Sequence, residues 1–112
     1  MISLAKRLAR AAERASLTEA TKYAPAVSKT LRALEDWCYR QTGNAARFRA
    51  RGNTYMFEWP DHGQTEDGIV EAPVYRRAGD RWVSAGTYRI GPDGSVLRFP
   101  GLPPEGRRAL RA

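Results

Sequence analysis

The chain has 112 residues, a formal net charge of +7 at neutral pH and 42% apolar side chains. Its length fits one domain, its apolar fraction excludes a disordered polymer, and no apolar run approaches the ~20 residues of a bilayer span. A lone cysteine, Cys38, excludes an internal disulfide and favours a reducing compartment, so the expected location is the cytoplasm or a virion-like particle.

The first segment has no continuous apolar stretch of the kind a secretory signal needs. It has instead the pattern of an amphipathic helix. Leu4, Leu8, Ala11, Ala12 and Ala15 fall on one arc, and Lys6, Arg7, Arg10, Glu13 and Arg14 on the other. Ser16-Leu17-Thr18-Glu19 has the form of a capping box, which starts a short second helix near Leu17. The strongest helix is expected from about Pro25 to Thr42, where Val27, Leu31, Leu34, Cys38 and Gln41 make one stripe with Trp37 on its flank. Gly43 stands where a left-handed residue ends such a helix.

From Ala45 the period changes to that of strands. Arg47, Arg49 and Arg51 alternate with Phe48 and Ala50, and Tyr55, Phe57 and Trp59 alternate with Thr54, Met56 and Glu58. A Gly52-Asn53 turn pairs them, with Ala50 facing Tyr55 and Phe48 facing Phe57. A long loop, about residues 60–68, precedes a second pair over about Ile69–Arg76 and Arg81–Ala85, in which Pro73 indicates an edge strand or a bulge. A third pair, Thr87–Ile90 and Ser95–Phe99, turns at Gly91-Pro92-Asp93-Gly94, and sets Tyr88 against Leu97 on the core side. Residues 101–112 read as a basic end that is mobile or ordered by a partner. The expected fold is α+β, one domain over about residues 1–100: two or three N-terminal helices (about 3–42) on one face of a mostly antiparallel, meander-like sheet of about six strands (about 46–99).

Sixteen of the nineteen basic side chains are arginines, whose guanidinium forks bind phosphate and carboxylate bidentately. If the alternation holds, Arg47, Arg49, Arg51, Arg89 and Arg98 share the outward sheet face, where they would track a phosphate backbone. The competing reading is that they solvate an open antiparallel face. Trp82, beside Arg76, Arg77 and Arg81, is a candidate exposed aromatic. Tyr55, Phe57 and Trp59 lie opposite the arginines and read better as core than as a base-stacking platform. Lys6, Arg7, Arg10 and Arg14, with Arg107, Arg108 and Arg111, form secondary basic groups. The alanine-rich side of the first helix is too weak for membrane insertion, and no helix-turn-helix pattern follows it.

The inventory for catalysis is thin. His62 is the sole histidine, and the loop carrying Asp61, His62, Glu66 and Asp67 lacks an EF-hand pattern. Cys38 falls mid-stripe, where a thiol is inert. No phosphate-cradling glycine loop and no nucleophile elbow occur, so neither enzymatic activity nor a metal or cofactor is expected.

The resulting expectation is a binding protein that docks on nucleic acid or a nucleoprotein assembly through its arginines. The alternative is a protein–protein module with an acidic partner, anchored by Trp82 or Tyr75. Such a module would be an inhibitor of a host complex, in the manner of a phage anti-defence protein, or a subunit of a virion-like assembly. Small size, basic charge and the absence of catalytic motifs suit an accessory protein of a phage or mobile element.

Overall fold

The computed structural model describes residues 23–60 and 67–111. The expected first and second helices fall outside the described residues, as do Lys6, Arg7, Arg10, Arg14, Asp61, His62 and Glu66. The described elements run α1 (Pro25–Thr42), β1 (Arg47–Ala50), β2 (Asn53–Phe57), β3 (Val70–Ala78), β4 (Arg81–Ile90), β5 (Val96–Arg98) and α2 (Pro104–Arg111). The five strands form one antiparallel meander in the order β1-β2-β3-β4-β5. The fold is α+β.

Helix α1 has the bounds that its periodicity implies. Pro25 starts it with φ already helical, and Gly43, at φ 76°, ends it by donating its N–H to the Tyr39 carbonyl at 2.8 Å. Val27, Leu31, Leu34 and Cys38 are buried along one stripe. They join a core with Phe48, Phe57, Val74, Tyr88 and Ile90 from the sheet. The rings interlock: Phe48 stacks on Tyr55 at 5.1 Å, Tyr88 stacks on Phe99 at 4.9 Å, and Phe57 meets both Tyr88 and Phe99 edge-on. Tyr55, Phe57 and Trp59 are all buried.

Four expectations are corrected. The first hairpin turns at Arg51-Gly52 rather than Gly52-Asn53, so Ala50 pairs with Asn53, and Phe48 with Tyr55. Arg51 (φ 52°) and Gly52 (φ 78°) are both left-handed, as a type I′ hairpin turn demands. The slip moves Arg51 into the turn but leaves the paired side chains on their expected faces, because each residue's partner moves by two.

Secondly, the sheet has five strands, not six, because β4 is continuous from Arg81 to Ile90. Gly86, where the sequence pattern predicts a break, opposes Val74 while Ser84 opposes Tyr75; Ala85 is the extra residue of a bulge. Glycine at φ 118° absorbs the distortion without ending the strand.

Thirdly, a bulge between β4 and β5 pairs Ile90 with Val96 and Arg89 with Arg98. Leu97 is thereby left out of the ladder and 54% exposed, and Phe99 takes the core position against Tyr88.

Finally, where the sequence suggested a mobile basic end, Pro104–Arg111 form helix α2, with Gly106 and Leu110 buried. A Cβ on Gly106 would stand 2.7 Å from Leu102 Cδ1 and 3.0 Å from Trp37 Cη2, so this glycine lets α2 lie close against α1.

Candidate functional site

The face of the sheet turned away from α1 carries a cluster built from four strands. The ladders place Arg47, Met56, Tyr75 and Ser84 in one row across β1 to β4. Arg77 and Trp82 are paired in the next row, on the same face. β1 and β4 are separated by β2 and β3, a span of roughly 14 Å at the usual strand spacing. Two long side chains cross that span and meet. The Arg47 guanidinium lies 5.5 Å from the centre of the Trp82 ring, and that of Arg77 6.0 Å from it. Both are within cation–π range.

The floor beneath them is ordered. Arg47 Nε donates to Met56 Sδ at 3.2 Å, and Tyr75 donates its hydroxyl proton to Glu58 Oε2 at 2.5 Å. Glu58 is buried, and its backbone N–H bonds to the Pro73 carbonyl. Arg77 Nε donates to the Gly79 carbonyl at 3.0 Å, which holds its guanidinium beside the turn. Arg49 is exposed on the same face, with its backbone fixed by Gln41 at 2.9 Å on each side. Chemically, the cluster offers planar cations and an indole side by side, a combination suited to phosphates, to flat rings and to carboxylates.

The sequence-derived arginines divide into several groups. Arg89 and Arg98 are opposite one another on the outward face, but Arg89 is ion-paired to Glu71 at 3.4 Å, and Arg98 reaches back over Gly86. Trp82 and Arg89 are seven positions apart on β4, about 20 Å along the strand. The outward arginines therefore form two patches. Arg51 stands at the hairpin tip, on neither face. Arg76 pairs with Tyr55 and Val83, and Arg81 with Ala78, so alternation assigns both to the side opposite Trp82.

Sequence reasoning missed the parts played by Met56 and Glu58, and it named Tyr75 as an anchor without its bond to Glu58. Finding them requires the register between β2 and β3, which are joined by a long loop that carries no turn signature. Arg107 and Arg111 lie on α2, at a cleft shared with α1 and the turn before β5, and Arg108 is exposed on that helix.

Burial raises the Cys38 thiol far above its usual range, and the charge of Glu35 pushes the same way, so it stays protonated and unreactive. Among the described residues no group of three or more His, Cys, Asp or Glu is placed to hold a metal ion. Among them, too, no helix is long and apolar enough to cross a membrane. No protein family, curated protein or solved structure matches the chain.

Proposed function

We propose that the chain is a non-catalytic binding protein that docks through the outward face of its sheet on nucleic acid or a nucleoprotein assembly, in the cytoplasm or in a virion-like particle. One observation carries this reading: the guanidinium groups of both Arg47 and Arg77 lie within cation–π range of the Trp82 ring, and Arg49 is exposed on the same face of the sheet. A solvated sheet face needs charge but no aromatic side chain. A nucleic-acid platform needs both, cations for phosphates and a ring for bases. In this reading Arg47, Arg49 and Arg77 contact phosphates, and Trp82 stacks. Arg89, Arg98, Arg107, Arg108 and Arg111 supply weaker long-range attraction.

The substitution that tests it is Trp82→Ala against Trp82→Phe. Loss of one stacked base costs about 1–3 kcal/mol, so the alanine variant should bind a short single-stranded oligonucleotide roughly ten- to a hundredfold more weakly. The phenylalanine variant should retain most of the affinity. Equal affinity for wild type and the alanine variant contradicts a stacking role.

A second reading is favoured by the same cluster. Tryptophan, tyrosine and arginine in one place are the residues that anchor protein interfaces, which supports an acidic protein partner. Its mark is a partner that stays bound after nuclease treatment and is released by Trp82→Ala.

A further inference from the structure

A cleft of about 440 Å³ lies between the first turns of α1, the helix α2 and the turn entering β5. It is separate from the Trp82 cluster: α1 covers the other face of the sheet. The size falls within the range of small-molecule sites.

One wall is rigid. Gly94 is packed so tightly on α1 that a Cβ there would stand 2.6 Å from the Ala26 carbonyl oxygen. Thr30 Oγ1 donates to the Gly94 carbonyl at 2.6 Å and fixes the turn to the helix. Asp93 is also preorganised. Its Oδ1 accepts from the Ser95 N–H at 3.0 Å and from the Ser95 hydroxyl at 2.6 Å. Those hydrogen bonds, the side-chain one foremost, lower its pKa and keep it ionised.

Three cations line the cleft. Lys29 comes from α1, and Arg107 and Arg111 come from α2. Arg107 and Arg111 are four positions apart on one helix, so both side chains lie on one face and repel each other mildly. Among the described residues none of the three is in an ion pair. Ala26, Val96 and Leu110 add an apolar portion to the lining. The cleft therefore offers an excess of positive charge, one fixed carboxylate that accepts hydrogen bonds from hydroxyls, and a small apolar surface.

We infer that this cleft is a binding site for a phosphorylated sugar of mononucleotide size, whose phosphate is held by Lys29, Arg107 and Arg111 and whose sugar hydroxyls donate to Asp93. The two guanidinium forks suit phosphate oxygens, and the carboxylate suits a vicinal diol. The apolar lining accepts a base edge or the sugar ring. The shared chemistry is a terminal phosphate on a ribose, whether free or at the end of an oligonucleotide.

Calorimetric titration of the full chain with AMP, adenosine, and a trinucleotide with and without a 5′-phosphate tests this. Saturable binding of AMP, or of the 5′-phosphorylated trinucleotide alone, is the expected result, and it also identifies which source the site accepts. Adenosine should bind at least about tenfold more weakly, and so should the unphosphorylated trinucleotide in the Arg47→Glu/Arg77→Glu variant, whose sheet face is disabled, because charge-assisted contacts to the phosphate are missing. Lys29→Ala and Arg111→Ala remove exposed side chains and should each weaken binding by about tenfold, with the far-ultraviolet circular dichroism unchanged. Arg47→Glu should leave binding in the cleft unaltered, which separates this site from the sheet face. The inference is overturned if neither phosphorylated ligand binds, if adenosine binds as well as AMP, or if Lys29→Ala and Arg111→Ala both bind like wild type.

Discussion

The side-chain amide of Gln41 closes the free edge of β1 by bonding to both backbone groups of Arg49. Nε2 donates to the Arg49 carbonyl at 2.9 Å, and Oε1 accepts from its N–H at 2.9 Å. The amide thus takes the place that a neighbouring strand would occupy. The next residue, Thr42, sets its Oγ1 3.2 Å from the Arg47 carbonyl, while its hydroxyl also reaches the Cys38 carbonyl at 2.9 Å. An edge strand with free N–H and C=O groups is a template for pairing with a second chain, and here the end of α1 covers it.

Gln41→Ala is accordingly expected to lower stability by about 1 kcal/mol and to raise self-association. Urea denaturation and sedimentation velocity over a range of concentrations measure the two effects. A variant as stable and as monodisperse as wild type would remove the edge-capping role from Gln41.

Arg51→Asn is expected to stabilise the protein. Arg51 sits at φ 52°, where a residue with a long side chain is disfavoured, and the change creates Asn-Gly, the preferred pair for a type I′ turn. The gain should be of order 1 kcal/mol in urea denaturation. Because Arg51 lies at the hairpin tip and outside the Trp82 cluster, oligonucleotide affinity should change little apart from the loss of one positive charge.

Cys38 makes stability fall at alkaline pH. Its folded pKa is raised by burial first and by Glu35 second. The folded state therefore holds the thiol proton after the unfolded chain has released it near pH ~8.5. The stabilisation is fully present below that value and is lost as pH rises above it, at up to ~1.4 kcal/mol per pH unit. Thermal melts from about pH 7 to 10 should show this slope, and Cys38→Ala should flatten it whatever its effect on stability at pH 7. Equal slopes in the two proteins would show that other groups govern the alkaline limb.

Much of the fold was legible in local pattern. The stripe from Val27 to Cys38 defined α1, Gly43 ended it, and the alternation from Arg47 to Trp59 placed the side chains of the first hairpin on their correct faces, Arg51 at its tip excepted. What local pattern could not convey was register across bulges. Gly86 looks like a break between strands, because a bulge that keeps β4 intact is visible only from β3. Leu97 has the composition of a core residue, yet a bulge beside it hands the core position to Phe99. The basic residues of α2 suggested a free end, and the apolar positions that dock it, Leu102, Gly106 and Leu110, are too few and too short to announce a helix without Trp37 to pack against. In the candidate site, Arg47, Arg77 and Trp82 were each visible as residues. Their meeting depends on the pairing of β2 with β3 across the long loop, and so could not be read from spacing. For the same reason spacing leaves open whether the outward arginines form one patch or two, and the ladders make two.

The most direct test of the proposed docking face is fluorescence anisotropy with labelled single- and double-stranded oligonucleotides, from about 50 to 300 mM salt, for wild type and the Arg47→Glu/Arg77→Glu double variant. Contacts from Arg47, Arg49 and Arg77 give a log–log salt slope near −2 on a single strand, at about −0.7 per phosphate. Wild type should bind below micromolar concentration at about 150 mM salt, and the double variant should bind much more weakly with a flatter slope. Binding that disappears below about 150 mM salt, or that is the same in both proteins, would contradict nucleic-acid docking through this face.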